Sequence, residues 1–133
     1  DEAARYSMVP NTATAVLLAR DVNRPGRFGL TLDAGHLLAA RENPAQAAAL
    51  AAREGLLFGV QLGDGHPASE DGLMFGAANP SMALELVLWL RAEGYEGHVY
   101  FDTFPRNEDP VVEAGRNVRA YRSMWEHAGR MLE

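Results

Sequence analysis

The chain contains no cysteine among its 133 residues. Disulfides, thiol nucleophiles, zinc ribbons and iron–sulfur ligation are thereby excluded. It also contains no lysine, and all 12 basic residues are arginine. Schiff-base chemistry and the phosphate-binding lysine of a P-loop are excluded with it. No apolar run approaches the roughly 20 residues that span a bilayer, and no charged-then-apolar leader opens the sequence. The expected location is the cytoplasm, with no membrane partner.

What is present is the composition of a folded protein, 47% apolar and 23% charged. The length falls within the usual range of about 50 to 250 residues for one domain. A net charge of −6 argues against nucleic acid as the main partner. Chemistry must come from carboxylates, four histidines, hydroxyls, amides and arginine.

The punctuation is regular. Asn11 is placed to cap a helix reaching about Asp21. Residues 28–33 form a short, apolar, β-capable run. Asn43-Pro44 is a helix start, a capping side chain followed by proline at the first helical position. That helix runs to Glu54, and Gly55 ends it in the left-handed position. Residues 57–62 are a second strand, and residues 63–79 a polar loop long enough to suggest function. Asn79-Pro80 opens a well-buried helix that closes at Gly94. Residues 98–102 are a third strand, and Asp109-Pro110 starts a last helix to about Met131. Strands alternating with helices imply parallel βαβ units with right-handed crossovers.

In such folds ligands bind at the carboxyl ends of the strands. Here those ends carry Asp33, the stretch from Gln61 to Asp64, and Asp102. Clustered carboxylates raise each other's pKa unless a cation neutralises them, so a divalent metal is the economical expectation. Asp33-Ala34-Gly35-His36 reads in two ways: a metal-ligating carboxylate with a substrate-facing imidazole in the loop, or a capping aspartate beside a surface histidine. Asp64, His66, Glu70 and Asp71 form a polar stretch compatible with a metal or with an ordinary turn-rich connection. Arg106 is placed to clamp an anionic or polyhydroxyl ligand, or to lie in solvent. His98, His127, Trp89, Tyr121 and Trp125 read as structural.

Three segments carry a resemblance. Leu30-Thr31-Leu32-Asp33-Ala34-Gly35-His36, Leu57-Phe58-Gly59-Val60-Gln61-Leu62-Gly63-Asp64-Gly65 and Val99-Tyr100-Phe101-Asp102-Thr103-Phe104-Pro105 resemble the xylose-isomerase-like TIM-barrel superfamily. Within it they look most like the sugar isomerases related to L-rhamnose isomerase. The segment 107–117, with its Asp109-Pro110 start, fits the same group.

The resemblance implies a (β/α)8 barrel of which this chain supplies the last three βα units and a preceding helix. It implies a divalent metal, manganese first, with magnesium, cobalt or zinc as alternatives. Asp33 would take the second ligand place and Asp102 the fourth, with Gln61 where relatives carry the third ligand histidine. His36 and Asp71 would be catalytic, facing substrate or a second metal. His66, Phe104 and Arg106 would join His36 in binding substrate. The first ligand, a glutamate, is expected to lie before Asp1.

The implied activity is aldose–ketose isomerisation or epimerisation of a small-molecule sugar, with the isolated chain inactive. Its partners would be the remainder of the barrel or another copy of the chain, as a homo-oligomer. Two alternatives share the fold: an endonuclease-IV-like DNA repair enzyme, and a non-catalytic assembly module whose metal site has decayed at Gln61.

Overall fold

Asn11 accepts the backbone N–H of Thr14 in its side chain and so starts α1, Thr12–Val22. The computed structural model describes residues 7–66 and 69–133, the side chains of residues 69–71 excepted. Glu42 fastens the same helix end from 30 residues away, taking the Thr12 N–H and hydroxyl. Next comes β1, Leu30–Asp33, two residues shorter at its start than the apolar run suggests. Asp33 caps α2, Ala34–Ala39, directly. Asn43 and Pro44 open α3, Pro44–Arg53, where Asn43 Oδ1 accepts the Gln46 N–H at 3.0 Å. The second strand, β2, is Leu57–Leu62. A hairpin follows, β3 at Asp64–His66 and β4 at Ser69–Leu73. Then come α4 at Pro80–Ala92, β5 at His98–Phe101 and α5 at Pro110–Leu132.

The main sheet has the order β1-β2-β5, all parallel. Asp33 lies opposite Gln61, and Gln61 lies opposite Tyr100. Leu30, Leu32, Val60 and Leu62 point into a core with Ala47, Ala48 and Ala51 of α3 and Leu86, Val87 and Leu90 of α4. Alanine predominates on α3 because a helix packed closely on a sheet has room for little more than a methyl group. On α5, Tyr121 is half-buried against Phe75, Phe101 and Trp125. Its hydroxyl pKa is raised, chiefly by burial.

The other face of the sheet is open. Successive strand residues alternate in direction, so Thr31, His98 and Tyr100 face away from the helices and are exposed. This is a mixed α/β fold with one parallel sheet, compatible with part of a TIM barrel. Among the described residues, no helix is long and apolar enough to cross a membrane.

Three expectations are corrected. The stretch 63–79 contains an antiparallel hairpin, with Asp64 opposite Leu73 and His66 opposite Ser69. Its glycines and acidic residues disguise strand pairing as turn composition. His36 belongs to α2 and not to a loop, because the Asp33 cap starts a helix at once. Asn79 precedes α4 but makes no side-chain cap. Its amide is engaged elsewhere.

Candidate functional site

The site lies where the three parallel strands end. Gly63 makes the approach of β5 to β2 feasible. A Cβ there would stand 2.7 Å from the backbone oxygen of Asp102. With glycine in place, Asp102 N–H donates to Leu62 O at 2.9 Å. This brings the Asp102 carboxylate beside Gln61, whose Nε2 donates to Oδ2 at 3.4 Å. Asp33 completes the row, opposite Gln61 on the other side. Asp33, Gln61 and Asp102 are thus neighbours across one sheet end.

Burial raises the pKa of Asp33 above its ordinary value, and the Asp102 charge pushes the same way. The His36 N–H, donated to Asp33 Oδ1 at 3.0 Å, and the nearby His36 imidazole act against this. His36 is exposed on α2, at the mouth of the row. The cap and the strand-end cluster coexist: Asp33 spends one oxygen on its helix while its charge is felt across the sheet end.

The row offers two carboxylates and one amide. Hard divalent cations accept both kinds of oxygen but take six or more ligands in all. Among the described residues, no group of three or more aspartate, glutamate or histidine side chains is placed to hold a metal. Gln61 turns its NH₂ toward Asp102, so it serves here as a donor. The side chain of Asp71 lies outside the described residues, as do those of Ser69 and Glu70.

A cleft of about 360 Å³ opens between the hairpin and the loop that follows β5. His66, Phe104 and Arg106 all line it, with Asn107, Glu108 and Glu113 among the other walls. The hairpin and the β5–α5 loop are joined at this cleft by the Phe104 N–H, which donates to Gly72 O at 2.8 Å. Gly72 has φ +60, and any Cβ there would run into the Phe104 ring. Glu108 shapes the loop by accepting the N–H groups of Arg106 and Asn107. The Asn107 bond leads the causes that hold the Glu108 carboxyl below its usual range.

Three buried residues organise the surroundings in ways that motif spacing misses. Asp64, 1% exposed, accepts from the N–H groups of Gly65, Ala78 and Asn79 and from Asn79 Nδ2. It is a structural carboxylate whose lone pairs are taken, which is why the metal-compatible reading of this position fails. Asn117 accepts the Phe75 N–H and donates to Thr103 Oγ1, tying α5 to the loops at the strand ends. Glu113, one turn earlier, is buried as well. A signal for both was available: the α5 stripe of Ala128, Met124 and Tyr121, followed backward at helical spacing, lands on Asn117 and Glu113.

No protein-family model matches the chain. Xylose isomerase from Thermus thermophilus is 38% identical to it over 90 residues, which cover 66% of this chain. The same alignment covers 23% of that enzyme, so the chain spans less than a quarter of the relative it matches. The chain is thus similar to a xylose isomerase over 66% of its residues and has a mixed α/β fold with one parallel sheet.

Proposed function

We propose that this chain supplies the C-terminal strand ends of a divalent-metal-dependent aldose–ketose isomerase or epimerase, of the group related to L-rhamnose isomerase. The observation that carries the reading is the alignment of Asp33, Gln61 and Asp102 across one sheet end. Asp33 and Asp102 would hold the cation, manganese first, through their carboxylate oxygens. Burial raises the pKa of Asp33 first and the Asp102 charge adds to it, and a cation between the two carboxylates would relieve the second of these costs. Gln61 is the weak member, since an amide oxygen carries no charge. When bound, such a cation polarises the carbonyl and hydroxyl oxygens of a sugar.

The other residues have separate tasks. His36, exposed beside Asp33, would exchange a proton with a sugar oxygen through its imidazole. His66, Phe104 and Arg106 would bind the sugar, Phe104 covering its apolar face and Arg106 donating to its oxygens. Asp71 would act with His36. Water must be kept from the reacting carbons, and the open sheet face does not do this by itself. Thr31, His98 and Tyr100 on that face, and the outer edges of β1 and β5, support a partner that covers them. That partner would be the remainder of a barrel, with a second copy of the chain as the other source.

The test is isomerisation of D-xylose and L-rhamnose by the intact protein with manganese after chelator treatment. Turnover restored by manganese, and lost in Asp102→Asn, supports the proposal. An intact protein that binds no divalent cation would defeat it.

A further inference from the structure

Phe104 is the most exposed of the five phenylalanines, at 52%. Its backbone is nevertheless fixed, because its N–H donates to Gly72 O at 2.8 Å. The Cγ–Cδ2–Cε2 side of its ring lies where a Cβ on Gly72 would stand. Glycine therefore meets two separate demands at this position. The φ of +60 disfavours most side chains, though asparagine tolerates that region. The ring excludes every Cβ, that of asparagine included.

Both features cost stability in the free chain. A half-exposed phenyl ring forgoes part of the gain from burial. A glycine within a strand, here β4, loses more conformational freedom on folding than other residues and weakens the pairing. What the two achieve together is to hold one aromatic ring at a set place in the wall of the 360 Å³ cleft. That size is within the usual range of about 300 to 1,000 Å³ for small-molecule sites, which are mainly apolar with a few polar groups. Leu73, Met74 and Ala77 are further apolar walls here, and Arg106 and Asn107 bring polar groups. A ligand that fits must present an apolar face and a polar edge. A ring-form sugar has both, C–H groups on its face and hydroxyls around its rim that donate and accept.

We propose that Gly72 is a positioning residue: it seats the Phe104 ring as a fixed aromatic wall, against which the C–H face of a neutral cyclic sugar packs. The assignment deepens the sugar-isomerase reading and rests on it for the identity of the reacting molecule. Gly72 acts through Phe104 and needs no contact with the ligand.

1,5-Anhydroxylitol is the test ligand, because it keeps the ring and its hydroxyls and has no carbonyl carbon to isomerise. Its binding to the intact protein is measured by calorimetry in chelator for wild type, Gly72→Ala, Phe104→Ala and the double variant. Each single substitution should weaken binding by about tenfold, which corresponds to about 1.4 kcal/mol. The double variant should bind like Phe104→Ala alone, because no ring remains for the Cβ to displace. Strain from a side chain at φ +60 is common to both Gly72→Ala proteins and cancels in the comparison. A merely structural Gly72 would lower the melting temperature in both backgrounds and leave the two affinity losses independent. Gly72→Asn, which tolerates the backbone and still carries a Cβ, serves if Gly72→Ala does not fold.

A folded Gly72→Ala protein that binds as tightly as wild type overturns the proposal. So do losses that add in the double variant, undiminished binding by Phe104→Ala, and a wild type that does not bind the ligand. Manganese-dependent isomerisation of D-xylose is followed in parallel. Binding governed by the Gly72–Phe104 pair without isomerisation defeats the isomerase reading and leaves the seat standing. Isomerisation with binding indifferent to the pair overturns the seat alone.

Discussion

Asp64 and Asn79 are joined twice across 15 residues: Asp64 Oδ2 accepts the Asn79 backbone N–H at 2.9 Å and Oδ1 accepts its Nδ2 at 2.6 Å, while the same Nδ2 also donates to Gly65 O. The pair fixes the start of α4 to the first strand of the hairpin. It therefore determines where the His66 side of the cleft stands relative to the sheet.

Asp64→Ala should be one of the most damaging single substitutions in the chain. It strands the N–H groups of Gly65, Ala78 and Asn79 and leaves Nδ2 of Asn79 with one partner. Unpaired buried donors cost about 1 to 3 kcal/mol each, so a total near 3 kcal/mol is expected. Urea unfolding of the variant beside wild type measures it. A loss under about 0.5 kcal/mol, the range of ordinary surface changes, would contradict the structural role.

The contrast between Asp64 and the other helix starts shows what sequence alone can give. Asn11, Asn43 and Asp109 cap the helices that their local patterns announce, because an N-cap needs only the next three residues. The parallel strands and the neighbourhood of Asp33, Gln61 and Asp102 were legible for a similar reason, as alternating elements leave few topologies. Asn79-Pro80 has the same local pattern, yet its side chain serves Asp64. That competition is decided by a partner 15 residues away, which no window of local sequence contains. The hairpin was hidden likewise, since its strands are too short and polar to show a period. Glu113 was passed over because an acidic residue in a first helical turn is ordinarily a solvated one.

Asn117→Ala separates the cleft from the strand-end row. The variant leaves the Phe75 N–H unpaired in the core and frees Thr103 Oγ1. A loss of about 1 to 3 kcal/mol is expected, again by urea unfolding. Amide hydrogen exchange should rise at Phe75 before it rises in β2, because the damage is local to the seam between α5 and the loops. Equal loss of protection throughout the sheet would count against a local role.

Asp33 gives a pH-dependent prediction. Its folded pKa is raised above the ordinary 3.8, chiefly by burial. The fold thus favours the protonated form. Stability from this group is fully present below pH 3.8 and is lost as pH rises through the raised folded value. Asp33→Asn removes the charge and keeps an oxygen able to cap His36 N–H. In chelator at pH 7 the variant should melt above wild type, and the difference should vanish below the unfolded pKa. Manganese should reverse the order by stabilising wild type alone, since a ligand that binds only the folded state raises its stability. A variant that melts below wild type at pH 7 in chelator would mean that the cap, and not the charge, dominates this position.

Gly63→Ala tests whether the row is a functional unit without touching any of its side chains. The added Cβ would sit 2.7 Å from Asp102 O. A clash with backbone cannot be relieved by a rotamer change, so β5 must shift away from β2. Overpacking of this kind costs about 1 to 3 kcal/mol. The shift should weaken the Leu62 O contact with Asp102 N–H and carry the carboxylate away from Gln61. Manganese affinity should therefore fall by about tenfold, the factor that corresponds to about 1.4 kcal/mol of lost binding. Manganese affinity equal to wild type in a folded Gly63→Ala protein would show that the cation, if held, does not need Asp102 beside Gln61.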